Sequence, residues 1–131
     1  MAPASSDRLR DVVLDSSFLI AVMERPTPWQ DDITQAMGAH SFVLLQSVKA
    51  ELERISMEGS RRARFASLAL ELVRRWGIPI RPDKGGKPDD EMISFALIDR
   101  AAVATTDSEL ISRLRALGLK TITLRDGRVS A

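Results

Sequence analysis

The chain has no cysteine, which excludes a disulfide, a thiolate zinc site and a cysteine nucleophile. It has one histidine, His40, which argues against Ser-His-Asp catalysis and against a multi-histidine metal centre. No apolar run approaches the roughly 18 residues a membrane-spanning helix needs. The first 30 residues carry no signal-peptide pattern, so the expectation is a cytoplasmic protein with no membrane partner. An excess of either charge is also missing, since 19 Lys+Arg stand against 18 Asp+Glu for a formal net charge of +1. What is present is ordinary for a globular protein: 131 residues, 44% hydrophobic and 28% charged, enough for a single domain with its own core. Any chemistry therefore falls to carboxylates.

The small net charge conceals an uneven distribution. Residues 1–53 sum to −4, residues 54–87 to +6 and residues 88–131 to −1. A basic segment between acidic flanks reads either as a nucleic-acid footprint beside an acidic site or as a solvated helix face. Arg61, Arg62 and Arg64 open a helix within that segment, and Lys84 and Lys87 bracket a Gly-Gly loop. The loop lacks the GxxxxGK[ST] spacing of a phosphate-binding loop, and Pro88 stands where Ser or Thr is required. It reads as a connector whose lysines are placed to touch a nucleic-acid backbone.

Short apolar runs alternate with helical patterns along the chain. After a polar lead-in over residues 1–10, residues 11–15 (DVVLD) form a compact run that predicts a buried strand. Residues 16–24 read as a helix stopped by Pro26 and Pro28, and residues 29–37 as a second helix ending at Gly38. A second strand is expected over 42–45, then a helix capped by Ser47 with Val48, Leu52 and Ile55 inward. Ser60 opens a longer helix with Phe65, Leu68, Leu72 and Val73 inward, and residues 78–80 suit an edge strand that tolerates Pro79. A helix over 89–100, a strand over 102–105, a helix over 107–117 and a strand over 121–124 complete the pattern. Asp126-Gly127 is a turn signal. The alternation predicts an α/β fold with a mainly parallel sheet of about five strands joined by right-handed crossovers.

In such a sheet ligands bind beyond the carboxyl ends of the strands, where the strand order reverses. Acidic residues fall at four of these junctions: Asp15, Glu51, the pair Asp89 and Asp90, and Asp107. Each singly reads as a helix cap or an exposed helical acid. Caps are as readily Ser or Thr, so acids at four junctions ask for more than capping. Clustered carboxylates repel unless a cation neutralises them, which points to one or two hard ions such as Mg²⁺ or Mn²⁺. A metal held this way, with water in its open positions, suits phosphodiester hydrolysis. Trp29 and Trp76 sit on apolar helical faces and read as core or dimer packing rather than as base-stacking platforms.

Four segments together carry a resemblance: VVLDSSFLI (12–20), LQSVKAELER (45–54), PDDEMISFA (88–96) and VATTDSEL (103–110). In this order and at these spacings the chain resembles the PIN-domain ribonucleases. The resemblance implies a three-layer α/β/α sandwich with a central parallel sheet, in which the strands leading to Asp15 and Asp107 are adjacent. It places the family's four metal-holding acids on Asp15, Glu51, Asp89 and Asp107, with Asp90 kept as a candidate because paired aspartates occur in the rRNA-processing-like branch. Ser17 and Thr105 match positions whose hydroxyls support the acids or a metal-bound water. Arg61, Arg62, Lys84 and Lys87 are the candidate substrate contacts. The implied activity is a Mg²⁺- or Mn²⁺-dependent endoribonuclease acting on RNA, with the 25–33 stretch closer to archaeal rRNA-processing members than to VapC toxins. A toxin would need an antitoxin partner, and a PIN-scaffold module that only holds RNA or protein is the alternative of another class. The resemblance also hints at a homodimer. Ser16 stands where Thr is common, Pro88 where Ala is usual and Thr106 where Asn is frequent. The absence of cysteine strikes out the zinc-ribbon relatives.

Overall fold

The structure, a computed structural model, describes residues 9–131; residues 1–8 of the polar lead-in lie outside the described residues. Strand β1 (Arg10–Leu14) leads directly into helix α1 (Ser16–Glu24), which stops before the two prolines, and α2 (Trp29–Met37) follows. Then come β2 (His40–Leu45), α3 (Gln46–Ser56), α4 (Arg61–Arg75) and the two-residue β3 (Ile80–Arg81). The chain continues through α5 (Pro88–Asp99), β4 (Ala102–Ala104), α6 (Ser108–Ala116), β5 (Thr121–Arg125) and β6 (Arg128–Ser130).

The sheet order is β3-β2-β1-β4-β5-β6. Every pairing is parallel except β5 with β6. From β1 the chain builds outward to β2 and β3, then crosses to the other side of β1 and builds outward again from β4. Right-handed crossovers in opposite directions place their helices on opposite faces, so α1 to α4 cover one face and α5 and α6 the other. The two central strands are apolar throughout their inner length because both faces are covered. Val12, Val13, Leu14, Ala102, Val103 and Ala104 are all fully buried.

Four details differ from the sequence expectations, each for a local reason. The sheet has six strands rather than about five: Asp126 and Gly127, both with positive φ (52° and 79°), form a two-residue turn that returns β6 antiparallel to β5. Arg128 then forks onto Asp32 of α2, with Nε donating at 2.9 Å and Nη2 at 2.7 Å. Second, Ser47 does not cap α3, which begins at Gln46; its backbone N–H instead donates to Asp83 Oδ2 at 2.9 Å. Third, α4 turns small residues inward. Ala63, Ala66, Ala69 and Val73 are buried while Leu68 is exposed, because α4 packs against both α1 and α3 and close helix approach selects small side chains. Ser60 stands at its N-cap position, but its hydroxyl makes no capping bond. Finally, α5 begins at Pro88, one residue before the expected start, because proline is accommodated at the first helical position.

The two tryptophans divide between core and surface. Trp29 is 3% exposed and Trp76 is 46% exposed. Trp76 stacks on Trp29 at 5.6 Å between centroids, and Trp29 meets Phe18 edge-on at 5.7 Å and Phe42 at 5.3 Å.

Candidate functional site

Asp15, Ser16 and Thr105 are buried polar residues gathered at the carboxyl edge of the sheet, where the strand order reverses. The backbone puts them there. Asp15 N–H extends the β1–β4 pairing by donating to Ala104 O at 2.9 Å, and Thr105 N–H donates to Ile122 O at 2.9 Å. Asp15 stands at the N-cap position of α1 but does not cap it. Its Oδ2 instead accepts from Ser17 Oγ and from Thr105 Oγ1, both at 2.7 Å.

Those two hydroxyls have their direction set from behind. Thr106 N–H donates to Ser17 Oγ at 3.1 Å, and Asp107 N–H donates to Thr105 Oγ1 at 3.0 Å. With an amide proton on its lone pair, each oxygen turns its own proton toward the carboxylate. Asp15 Oδ1 has only Ser16 Oγ nearby, at 3.5 Å, and Ser16 makes its short bond to Glu51 Oε1 at 2.5 Å. Consecutive serines thus hold two different acids, one from α1's own end and one from α3.

The remaining acids arrive on helix starts. Asp107 caps α6, its Oδ1 accepting from Leu110 N–H at 3.0 Å. Pro88 takes the first helical position of α5, where its missing N–H costs nothing, and Asp89 follows it in the first turn. The Asp89 carboxyl is pushed up to about 6, first by burial and then by the negative charges of Asp15, Asp107 and Glu51, with Arg113 opposing. Asp89 is therefore where the fields of the other three acids meet. Burial also raises the Asp15 carboxyl, against the bonds from Thr105 and Ser17 and with the Glu51 charge adding to the rise. Asp90, one residue on, is exposed and pairs with Arg113 Nη2 at 2.8 Å.

The donor set is chemically that of a hard-cation site: carboxylate oxygens, like-charged, with hydroxyls fixing one of them. Among the described residues no three acidic or histidine side chains stand close enough to hold one ion between them.

The raised Asp89 pKa has a measurable consequence without metal. Between about pH 4 and 6 the unfolded carboxyl is ionised while the folded one keeps its proton. The folded state is favoured at low pH and loses that advantage as pH rises through about 6. Asp89→Asn removes the repulsion. At pH 7 in chelator the variant gains on the order of 1 kcal/mol, discounted for partial exposure, and melts roughly 4 °C higher. At pH 4 the two proteins melt together. Thermal melts across this range check it, and equal melting at pH 7 contradicts the electrostatic reading.

The candidate substrate contacts are dispersed. Arg61 pairs with Glu24 and lies over the Phe65 ring, at the far end of α1 and about 12 Å along the helix from Asp15. Arg62 pairs with Glu58 at 3.3 Å, about two turns of chain beyond Glu51. Neither arginine is brought to the acids. Lys84 and Lys87 lie on the loop that enters α5, and Lys87 is its N-cap residue. That loop is held from both sides. Glu91 accepts from the N–H groups of Lys84 at 3.2 Å and Gly86 at 3.0 Å, and Asp83 accepts from Gly85 N–H at 2.9 Å as well as from Ser47. Sequence reasoning did not single out Ser16, Arg113, Asp83 or Glu91 as site residues. The only sequence signal for Arg113 is its position about one and a half turns after Asp107.

The comparisons extend over the same residues. A sequence family described as a PIN like domain matches residues 12–127, a span that contains all four acidic junctions. The solved structure of the PIN domain endonuclease Utp24 is similar with a TM-score of 0.75 at 21% identity, covering 92% of this chain and 90% of that one. A domain of a functionally unknown protein from Methanocaldococcus jannaschii is similar with a TM-score of 0.62 at 16% identity, covering 88% of this chain and 91% of that one. No curated protein sequence matches. With its sheet order, its edge of acids and hydroxyls around the buried Asp15, and a family match over most of its length, the chain belongs to the PIN-like domain family.

Proposed function

We propose that this protein is a divalent-metal-dependent endoribonuclease, with a role in rRNA processing as its setting. PIN domains are generally nucleases and usually use divalent metals, which supports a nuclease of this class. The observation that carries the reading is the hydroxyl network at the carboxyl edge of the sheet, in which Ser16 lies between Asp15 and Glu51 and Thr105 joins Asp15 to the backbone of Asp107. Asp15, Glu51, Asp89 and Asp107 would hold one or two Mg²⁺ or Mn²⁺ ions, which supply charge neutralisation and a water of lowered pKa for attack on a phosphodiester. The protein's own part is positioning. Ser17 and Thr105 hold Oδ2 of Asp15, leaving Oδ1 with only Ser16 Oγ nearby, and Ser16 fixes Glu51. Asp90, the candidate catalytic acid beside these four, pairs with Arg113 instead.

The test is cleavage of a panel of structured and single-stranded RNAs with Mn²⁺, with Mg²⁺ and with chelator, alongside thermal melts under the same conditions. Metal-dependent endonucleolytic products are expected, together with a rise in melting temperature on adding Mn²⁺ alone. A melting rise without cleavage would replace the enzyme by a PIN-scaffold module that holds RNA or protein. No rise and no cleavage would remove the metal site altogether.

A further inference from the structure

The pair of adjacent aspartates at the start of α5 divides into two environments. Asp89 lies among the other carboxylates, whereas the Asp90 side chain is paired with Arg113 on α6, at 2.8 Å. Arg113 is 43% exposed at its side chain and Asp90 56%. An ion pair this open contributes little to stability, but it orients the guanidinium while leaving its other donors facing solvent. Guanidinium has five N–H donors in a planar fork, of which this bond occupies one. The fork matches two oxygens of a phosphate, and its charge persists at all working pH values. It also stands where a cation is needed. A polyanion approaching Asp15, Glu51, Asp89 and Asp107 is repelled by each of them; among the described residues Arg54 lies 3.8 Å from Glu51 on the same helix, whereas Arg113 comes from α6 to the α5 side, beside Asp90 and Asp89. Arg61 and Arg62 are engaged with Glu24 and Glu58 away from the acids.

We propose that Arg113 is a backbone-phosphate contact for RNA at the rim of the acidic site, and that Asp90 is the positioning residue that holds its guanidinium there. This rests on the reading of the site as one that handles RNA, and the test below needs no turnover. A protein that binds RNA through Arg113 but never cuts it would leave this proposal standing while the nuclease reading fails.

The experiment is fluorescence anisotropy of a short fluorescein-labelled single-stranded RNA, in chelator, over a series of salt concentrations. Arg113→Ala is expected to weaken binding about tenfold at low salt, and to flatten the slope of log K against log salt by about 0.7, the loss of one phosphate contact. Arg113→Lys restores part of the slope but not the full affinity, because a point charge replaces the fork. Arg115→Ala, an exposed arginine on the same helix, is the control for net charge. Removing the Asp90 charge by Asp90→Asn weakens binding about threefold when Arg113 is present and has no such effect in the Arg113→Ala background. An unchanged slope in Arg113→Ala, or an equal change in Arg115→Ala, overturns the phosphate contact. An equal Asp90→Asn effect in both backgrounds overturns the positioning role. Circular dichroism of each variant establishes that the comparison is between folded proteins.

Discussion

Asp15→Asn is expected to reduce metal-dependent RNA cleavage by roughly 10³-fold or more, the scale seen when one member of a catalytic unit is neutralised. The substitution keeps the shape of the side chain and one oxygen to accept from Ser17 and Thr105, which hold Oδ2 at 2.7 Å in the wild type. What it removes is the carboxylate's negative charge. Stability moves the other way. The Asp15 carboxyl is raised by its burial and by Glu51, so replacing it with a neutral amide relieves a strain of the folded state rather than adding one. The variant should therefore melt no lower than the wild type at pH 7 in chelator. Gel-resolved cleavage of RNA in Mn²⁺, read against circular dichroism melts, measures both halves. Cleavage at the wild-type rate by a folded Asp15→Asn protein would sink the assignment of this carboxylate.

The second large effect lies outside the site. Trp29→Ala is expected to cost about 3–5 kcal/mol, the usual range for truncating a buried large aromatic side chain. Against a typical total of about 5–15 kcal/mol, that is enough to bring a small domain near its threshold. Three elements lose their common packing partner at once. Phe18 of α1 meets the Trp29 ring edge-on, Phe42 of β2 packs tilted against it, and Trp76 at the end of α4 stacks on it. Aromatic pairing adds to the simple loss of buried area. Urea denaturation gives the number. The same variant leaves Trp76 as its single indole, so its emission moves to the red as its stacking partner disappears. A loss under about 1 kcal/mol would mean that the cavity collapses without consequence, contrary to a close-packed interior.

Much of this architecture was readable from local pattern. β1, β2 and β4 are short apolar runs because both faces of the sheet are covered, and that signal needs no partner to be seen. Features set by distant residues were not. The amide of Ser47 is satisfied by Asp83, 36 residues away, so a cap expected from the serine's own hydroxyl could not be checked locally. The inner face of α4 was read as Phe65, Leu68, Leu72 and Val73; Val73 is buried, but Leu68 is exposed and the tight approach of α1 and α3 selects Ala63, Ala66 and Ala69 beside it. β6 carries only three residues, RVS, too few for an alternation to register, although the turn before it was legible. The two aspartates of α5 show the same limit. Adjacent residues on a helix point about 100° apart, and which one faces the acids depends on where α6 lies and on its Arg113, 23 residues later.

The bond between Thr105 and Asp15 spans 90 residues, and this separation decides when the acidic edge comes into existence. Local helices form quickly, but a pairing across so long a loop must wait until the chain entropy of closing it is overcome. β1 and the first helices can be in place while Asp15 still has neither its strand partner at Ala104 nor its hydroxyl from Thr105. Its carboxylate is then without the contacts that orient it. The pocket is consequently a late product of folding, assembled only when β4 slots in beside β1. A partly synthesised or partly folded chain lacks this acidic edge until β4 is in place.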